Sequence, residues 1–208
     1  MNQRKAIHDR VLNATSTEEL MAAYGDWAEK YDGDLMGEMG YVAPMMTSEL
    51  LLNTLPDNEA CILDAGCGTG LVGELLYRKV YRNIDGLDYS PEMLAKAKEK
   101  SVYQRLDRQD LTQSLDIEDN VYDAVISVGT FTCGHVGPKA FDELIRITQP
   151  GGCICFTVRE QAWGEDDYHQ KLHAFEKNGR WALQELRTTD YLQQEGSRCK
   201  VCLYEVTA

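Results

Sequence analysis

From residue 60 onward, short apolar runs alternate with stretches whose apolar positions recur at helical spacing. The runs "ACILDAG", "NIDGLD", "YDAVISVG" and "GCICFTV" predict strands, with a further strand near "SVYQRL". Between them, "LVGELLYRK", "SPEMLAKAKEK" and "KAFDELIRIT" predict helices. The second has Ser90 placed as N-cap and Pro91 in the first turn, and the third is broken by Pro150, Gly151 and Gly152. Strands and helices in this alternation predict a parallel sheet covered on both faces. After the segment "REQAWGEDD" and a helix over "DYHQKLHAFEKNG" the pattern changes. "WALQELRTTDYLQ" and "RCKVCLYEVT" are strand-like and joined only by "QEGS", so they should pair as an antiparallel hairpin.

The residues ahead of the sheet read as helical. In "STEELMAAYGDWAEKYD", Ser16 and Glu19 are spaced for a capping box, and Tyr24, Trp27 and Tyr31 fall on one helix face. That aromatic stripe can pack on the sheet, touch a ligand, or do both. The expected organisation is a single domain over residues 1–208, with an N-terminal helical lid at 1–58 and a sheet core at 59–208.

Composition narrows the partners. A net charge of −13 repels polyanions and no Lys/Arg cluster offsets it locally, which argues against nucleic acid. The N-terminus lacks the apolar stretch of a signal peptide and no apolar run reaches membrane-spanning length, so the expectation is a cytoplasmic protein with no membrane partner. The seven cysteines are scattered through predicted strands. Cys199 and Cys202 form a C-x-x-C, but residues three apart on a strand face opposite ways, so no metal site is expected there. His169 and His173 share a helix face without an evident third ligand, and no metal is expected there either.

The stretch "ILDAGCGTGLVGELL" carries the candidate chemistry. Read from Gly68 it fits G-x-G-x-x-G, with Asp88 about twenty residues on, where a dinucleotide's ribose-binding acid belongs. Read from Asp64 it fits D-x-G-x-G-x-G. A carboxylate beside the turn is a poor neighbour for a pyrophosphate on a helix N-terminus. It suits S-adenosylmethionine, which has no phosphate and presents an ammonium and a sulfonium. Asp88 serves either ligand, because both bring ribose hydroxyls. Asp64 and the terminal hairpin together favour S-adenosylmethionine, with S-adenosylhomocysteine as product.

"LDAGCGTG", "GLDYSPEML", "YDAVISVG" and "ELIRITQPGG" resemble the successive motifs of class I S-adenosylmethionine-dependent methyltransferases. Within that superfamily the chain is most similar to the Williams–Beuren-region methyltransferase-like proteins. The resemblance implies a Rossmann-like, doubly wound seven-stranded α/β sheet, mostly parallel, with its last strand antiparallel. It implies that Asp64 and Gly66, with Gly68, hold the methionine end of the cofactor and Asp88 the ribose. Tyr89 and Met93 should pack around the adenosine. Asp110 should accept from the adenine amine, with Asp107 as rival, while Leu111 offers backbone to the ring. Val128 should lie near the sulfonium, and Tyr24 and Tyr31 of the lid are expected against the cofactor. Families that methylate amide or adenine nitrogens carry N-P-P-Y or D-P-P-Y after the fourth strand; this chain has "VGTFTCGHV".

In-line methyl transfer needs placement and exclusion of water more than a dedicated base. Where a base is needed, His135 in "TCGHVGP" is the histidine that topology brings near the strand ends. The acceptor pocket should be walled by Tyr41 and Pro44 of the lid, by Phe131, and by Trp163 and Glu160 beyond the fifth strand. A small neutral or cationic metabolite is the expected acceptor, with a protein side chain, or binding without catalysis, as alternatives.

Overall fold

The computed structural model describes residues 3–132, 136–165 and 167–207. Helices α1 (Gln3–Leu12) and α2 (Thr17–Trp27), a π-helical segment (Gly33–Met39) and α3 (Ala43–Thr54) precede the sheet. Then follow β1 (Ile62–Ala65), α4 (Leu71–Lys79), β2 (Ile84–Asp88), α5 (Pro91–Glu99), β3 (Arg105–Arg108), β4 (Tyr122–Phe131), α6 (Phe141–Ile147) and β5 (Thr148–Arg159). The chain continues through α7 (Glu160–Glu165), α8 (Tyr168–Lys177), β6 (Trp181–Leu192) and β7 (Ser197–Val206). The seven strands lie in the order β3-β2-β1-β4-β5-β7-β6. β7 is antiparallel to both β5 and β6, while β1 to β5 pair in parallel, which is the fold that the alternating pattern and the terminal hairpin predict.

Successive side chains of a strand face opposite sides, and two cores result. Ile62, Ile126, Cys155 and Leu203 point to the layer of Leu20, Trp27 and Leu51, residues of the N-terminal helices. Leu63, Val125, Phe156 and Cys202 point to the layer of Phe141, Leu144 and Leu172 from α6 and α8. Cys199 and Cys202 belong to opposite layers, as their spacing requires. No group of three or more potential metal ligands occurs among the described residues.

Local signals set the element ends. Ser90 caps α5 by accepting from Met93 N at 3.3 Å. Ser16 likewise caps α2, accepting from Glu19 N at 3.2 Å, but Glu19 returns its carboxylate to Thr15 N at 2.9 Å, so the capping box is displaced by one residue. Two sequence expectations shift. The strand near "SVYQRL" begins only at Arg105, because Tyr103 turns inward to donate its hydroxyl to Asp64 Oδ2 at 2.6 Å. Gly151 and Gly152 do not precede β5 but lie in a bulge within it, since Tyr122 pairs with Thr148 and Ala124 with Cys153.

The Tyr103 ring lies against the start of α4, where a Cβ on Gly73 would overlap its ring and hydroxyl. Helix propensity alone predicts that Gly73→Ala stabilises by about 1 kcal/mol. The packing predicts the opposite, a loss of about 1–3 kcal/mol in urea unfolding. Equal or higher stability would show that the ring is free to move.

Candidate functional site

A cavity opens at the carboxyl ends of β1, β2 and β4, under α2 and the start of α3. In parallel α/β sheets this is where ligands bind, because the strand order reverses beside β1. Its floor is the turn after β1. Gly66 has φ 76°, and a Cβ there would overlap Thr130. Gly68 also has positive φ, and a Cβ there would meet nothing within 4 Å, so the loop leaves open space above itself.

Asp88, at the end of β2, lines the cavity. Its Oδ2 accepts from Gly68 N at 2.8 Å and its Oδ1 from Ser90 N at 2.9 Å, which fixes the carboxylate and leaves further lone pairs for a ligand's hydroxyls. Burial pushes its pKa above the ordinary value, against those backbone donors. Tyr89, Met93, Asp110 and Leu111 line the same half. Asp110 is oriented by Thr112, whose backbone N and hydroxyl donate to Oδ1 at 2.8 and 2.7 Å. Asp107 instead pairs with Arg105 at 2.9 Å and does not line the cavity.

Val128, Tyr24, Tyr31 and Tyr41 line the cavity as well, with Pro44. Of the aromatic stripe, Tyr24 and Tyr31 face the cavity while Trp27 packs, 3% exposed, with its Nε1 donating to Asp34 Oδ2 at 2.8 Å. Burial raises the pKa of all three tyrosine hydroxyls. The Tyr41 ring meets that of Tyr191 edge-on at 5.0 Å.

Four expected residues stand elsewhere. Asp64 does not line the cavity: it is 1% exposed beside the glycine turn, its Oδ2 accepting from the Tyr103 hydroxyl at 2.6 Å and its Oδ1 buried without a hydrogen-bond partner. Burial pushes its pKa up to about 7. Phe131 is fully buried in the other layer, its ring 4.5 Å from Phe141 and 5.8 Å from Phe156. It lies three residues beyond Val128 on the same strand, so alternation carries the signal for that outcome. Trp163 on α7 packs toward the same far layer, 6.2 Å from His169, and Glu160 is exposed, 3.7 Å from Lys200. His135 lies outside the described residues.

Sequence reasoning missed the tie between lid and turn. Asp32 accepts from the Thr69 hydroxyl and from Lys100 Nζ, the latter at 2.6 Å, and Lys100 also reaches Glu74 at 3.1 Å. No local pattern announces contacts between residues 68 apart. Gln109 and Thr112 also line the cavity, and their place beside Asp110 was the available signal.

A family model described as "Methyltransferase domain" matches residues 62–152. Human Methyltransferase-like protein 27 is 36% identical over 165 residues, covering 76% of this chain and 66% of that protein. Malonyl-[acyl-carrier protein] O-methyltransferase of Pectobacterium atrosepticum is 35% identical over 139 residues, covering 62% of this chain and 54% of that protein. The chain thus spans between about half and two thirds of the length of these curated relatives. Among solved structures, the [4+2]-cyclase SpnF superposes with a TM-score of 0.72 at 15% identity, covering 94% of this chain and 98% of that one. A TehB-like S-adenosylmethionine-dependent methyltransferase from Corynebacterium glutamicum gives 0.63 at 22% identity, covering 89% of this chain and 99% of that one. At such identities these two show the fold alone.

The buried carboxylic acid of Asp64 makes stability depend on pH. With its folded pKa near 7 and its unfolded pKa near 3.8, the folded state holds the proton more tightly, so stability from this group is full below pH 4 and is lost as pH rises through 7. The stability difference between the wild type and Asp64→Asn should therefore move against the wild type by about 2 kcal/mol between pH 5.5 and 8 and level off above. Chemical denaturation across that range measures it, and a pH-independent difference would refute the buried-acid assignment.

Proposed function

We propose that the chain is a class I S-adenosylmethionine-dependent methyltransferase that transfers a methyl group from S-adenosylmethionine to a small-molecule acceptor, with a place beside Methyltransferase-like protein 27. The observation that carries this reading is the Asp88 carboxylate, held by Gly68 N and Ser90 N with its remaining lone pairs toward the cavity. A fixed acid at the end of the second strand suits a ribose diol. The open backbone over Gly68 suits an amino-acid moiety.

Bound there, the cofactor supplies an electrophilic methyl group on a sulfonium. The chain's own residues do the rest. Asp88 would hold the ribose and Asp110 the adenine amine, while Met93, Tyr89 and Leu111 would sandwich the adenosine. Gly66 and Gly68 would admit the methionine end. Val128 and Gly129, with Tyr41, would wall the space next to the methyl, and Tyr24 and Tyr31 would close it from the lid, excluding water. The Asp32 tie would hold that lid against the turn. A cavity roofed by the chain's own helices favours a small acceptor over a folded macromolecule. Relatives named as O-methyltransferases of malonyl-[acyl-carrier protein] support an oxygen acceptor.

Calorimetric titration with S-adenosylmethionine, S-adenosylhomocysteine and NAD tests the site. The two sulfur ligands should bind and NAD should not. Asp88→Ala should weaken S-adenosylhomocysteine binding by about 30-fold, corresponding to ~2 kcal/mol, with circular dichroism checking that the variant folds. Binding of NAD alone, or unchanged affinity in a folded variant, would overturn the assignment.

A further inference from the structure

The acceptor side of the cavity has a cation close behind its wall. Arg159 ends β5, and alternation along that strand puts it on the same face as Cys155 and Thr157, the face covered by the lid helices. Thr157 Oγ1 accepts from Gly129 N at 3.0 Å, and Gly129 lines the cavity. The Arg159 guanidinium lies 5.3 Å from the Tyr191 ring centroid, and the Tyr191 hydroxyl is close against Gly129 beside that of Tyr41. Arg159 is half-buried, and among the described residues no carboxylate lies within ion-pair distance of it. By contrast Arg105, Arg146 and Arg180 each hold one. In a chain of net charge −13, a half-buried arginine without such a partner at the strand ends is an anion site in waiting.

A second observation concerns protons. Methylating a hydroxyl or a protonated amine requires that a proton leave, and a neutral-range base helps. The described titratable groups at and just behind this side of the cavity include Tyr24, Tyr31, Tyr41 and Tyr191, and burial holds their hydroxyls above the ordinary phenol range. Asp88 and Asp110 stand on the other half, and Asp64 lies buried beside the turn. An acceptor that is already an anion needs no base.

Resting on the methyl-transfer reading above, we propose that the acceptor carries a carboxylate, steered by Arg159, and that this carboxylate is esterified. One carboxylate oxygen forms the new bond to the methyl carbon as the carbon–sulfur bond breaks, and the electron pair goes to sulfur. The products are a neutral methyl ester and the uncharged thioether S-adenosylhomocysteine. No proton is released and no further reactant is consumed. This proposal departs from the neutral or cationic acceptor expected from the sequence, because a cation would meet the guanidinium.

The test uses the full chain with butyrate, hexanoate, benzoate and malonate against their amides. It follows methyl-ester and S-adenosylhomocysteine formation, and calorimetric binding of each acid to the protein loaded with S-adenosylhomocysteine. At least one acid should bind and be methylated while its amide is not. Arg159→Met should raise KM and lower kcat/KM for that acid by about 30-fold, with Arg159→Lys recovering part of the loss and S-adenosylhomocysteine affinity unchanged in both variants. Methylation of the amides in place of the acids would overturn the proposal. So would an acid turned over equally by Arg159→Met, or a loss of S-adenosylhomocysteine affinity in that variant, which would assign the arginine to the cofactor's own carboxylate. Binding of S-adenosylhomocysteine with no acid bound or methylated strikes this proposal alone. No binding of S-adenosylhomocysteine strikes the methyl-transfer reading and this one with it.

Discussion

The burial of one carboxyl group beside a backbone turn governs the architecture of the site. Asp64 ends in a layer with 1% exposure, where an unpartnered charge is costly, and the surrounding residues are arranged around it. Tyr103 donates to it, and that bond pulls residues 101–104 out of strand geometry and lays the ring against α4. The ring also limits what can stand at Gly70 and Gly73, so the first turn of α4 sits close to the sheet. The turn beside Asp64 then presents Gly68 N to Asp88, and the two acids at neighbouring strand ends become parts of one construction with separate tasks.

Much of this was legible because it depends on short-range rules. Alternation of strand and helix patterns, Ser90 before Pro91, and two strands with only "QEGS" between them are local, and the structure follows each of them. The cavity half that would hold adenosine was legible because it is built where strands end, a place topology defines. Tyr89, Met93, Asp110 and Leu111 all line it.

What escaped was either parity or distance. Phe131 was expected in the acceptor pocket wall, although its odd spacing from Val128 sends it to the opposite layer. Trp163 follows β5 closely, yet α7 carries it to the far side, a turn of the chain that composition does not encode. Asp32, Thr69 and Lys100 meet only because the lid folds over the sheet, and each alone looks like an ordinary surface residue. The place of Arg159 is hidden in the sequence for the same reason: its stacking on Tyr191, with no carboxylate in ion-pair range among the described residues, is visible only in three dimensions.

The strand order has a consequence for how the molecule is put together. β7 hydrogen-bonds to β5 on one edge and β6 on the other, although it follows β6 in the chain. β6 reaches the sheet through β7 alone, so the sheet's outer third is joined by one strand whose pairing with β5 closes a loop of some forty residues between Arg159 and Cys199. Until that long-range ladder forms, the hairpin of β6 and β7 is a detached two-stranded ribbon, marginal by itself. The flank beside Arg159 and Tyr191 therefore depends on a ladder between segments some forty residues apart, and the acceptor side of the cavity is only as well ordered as that pairing.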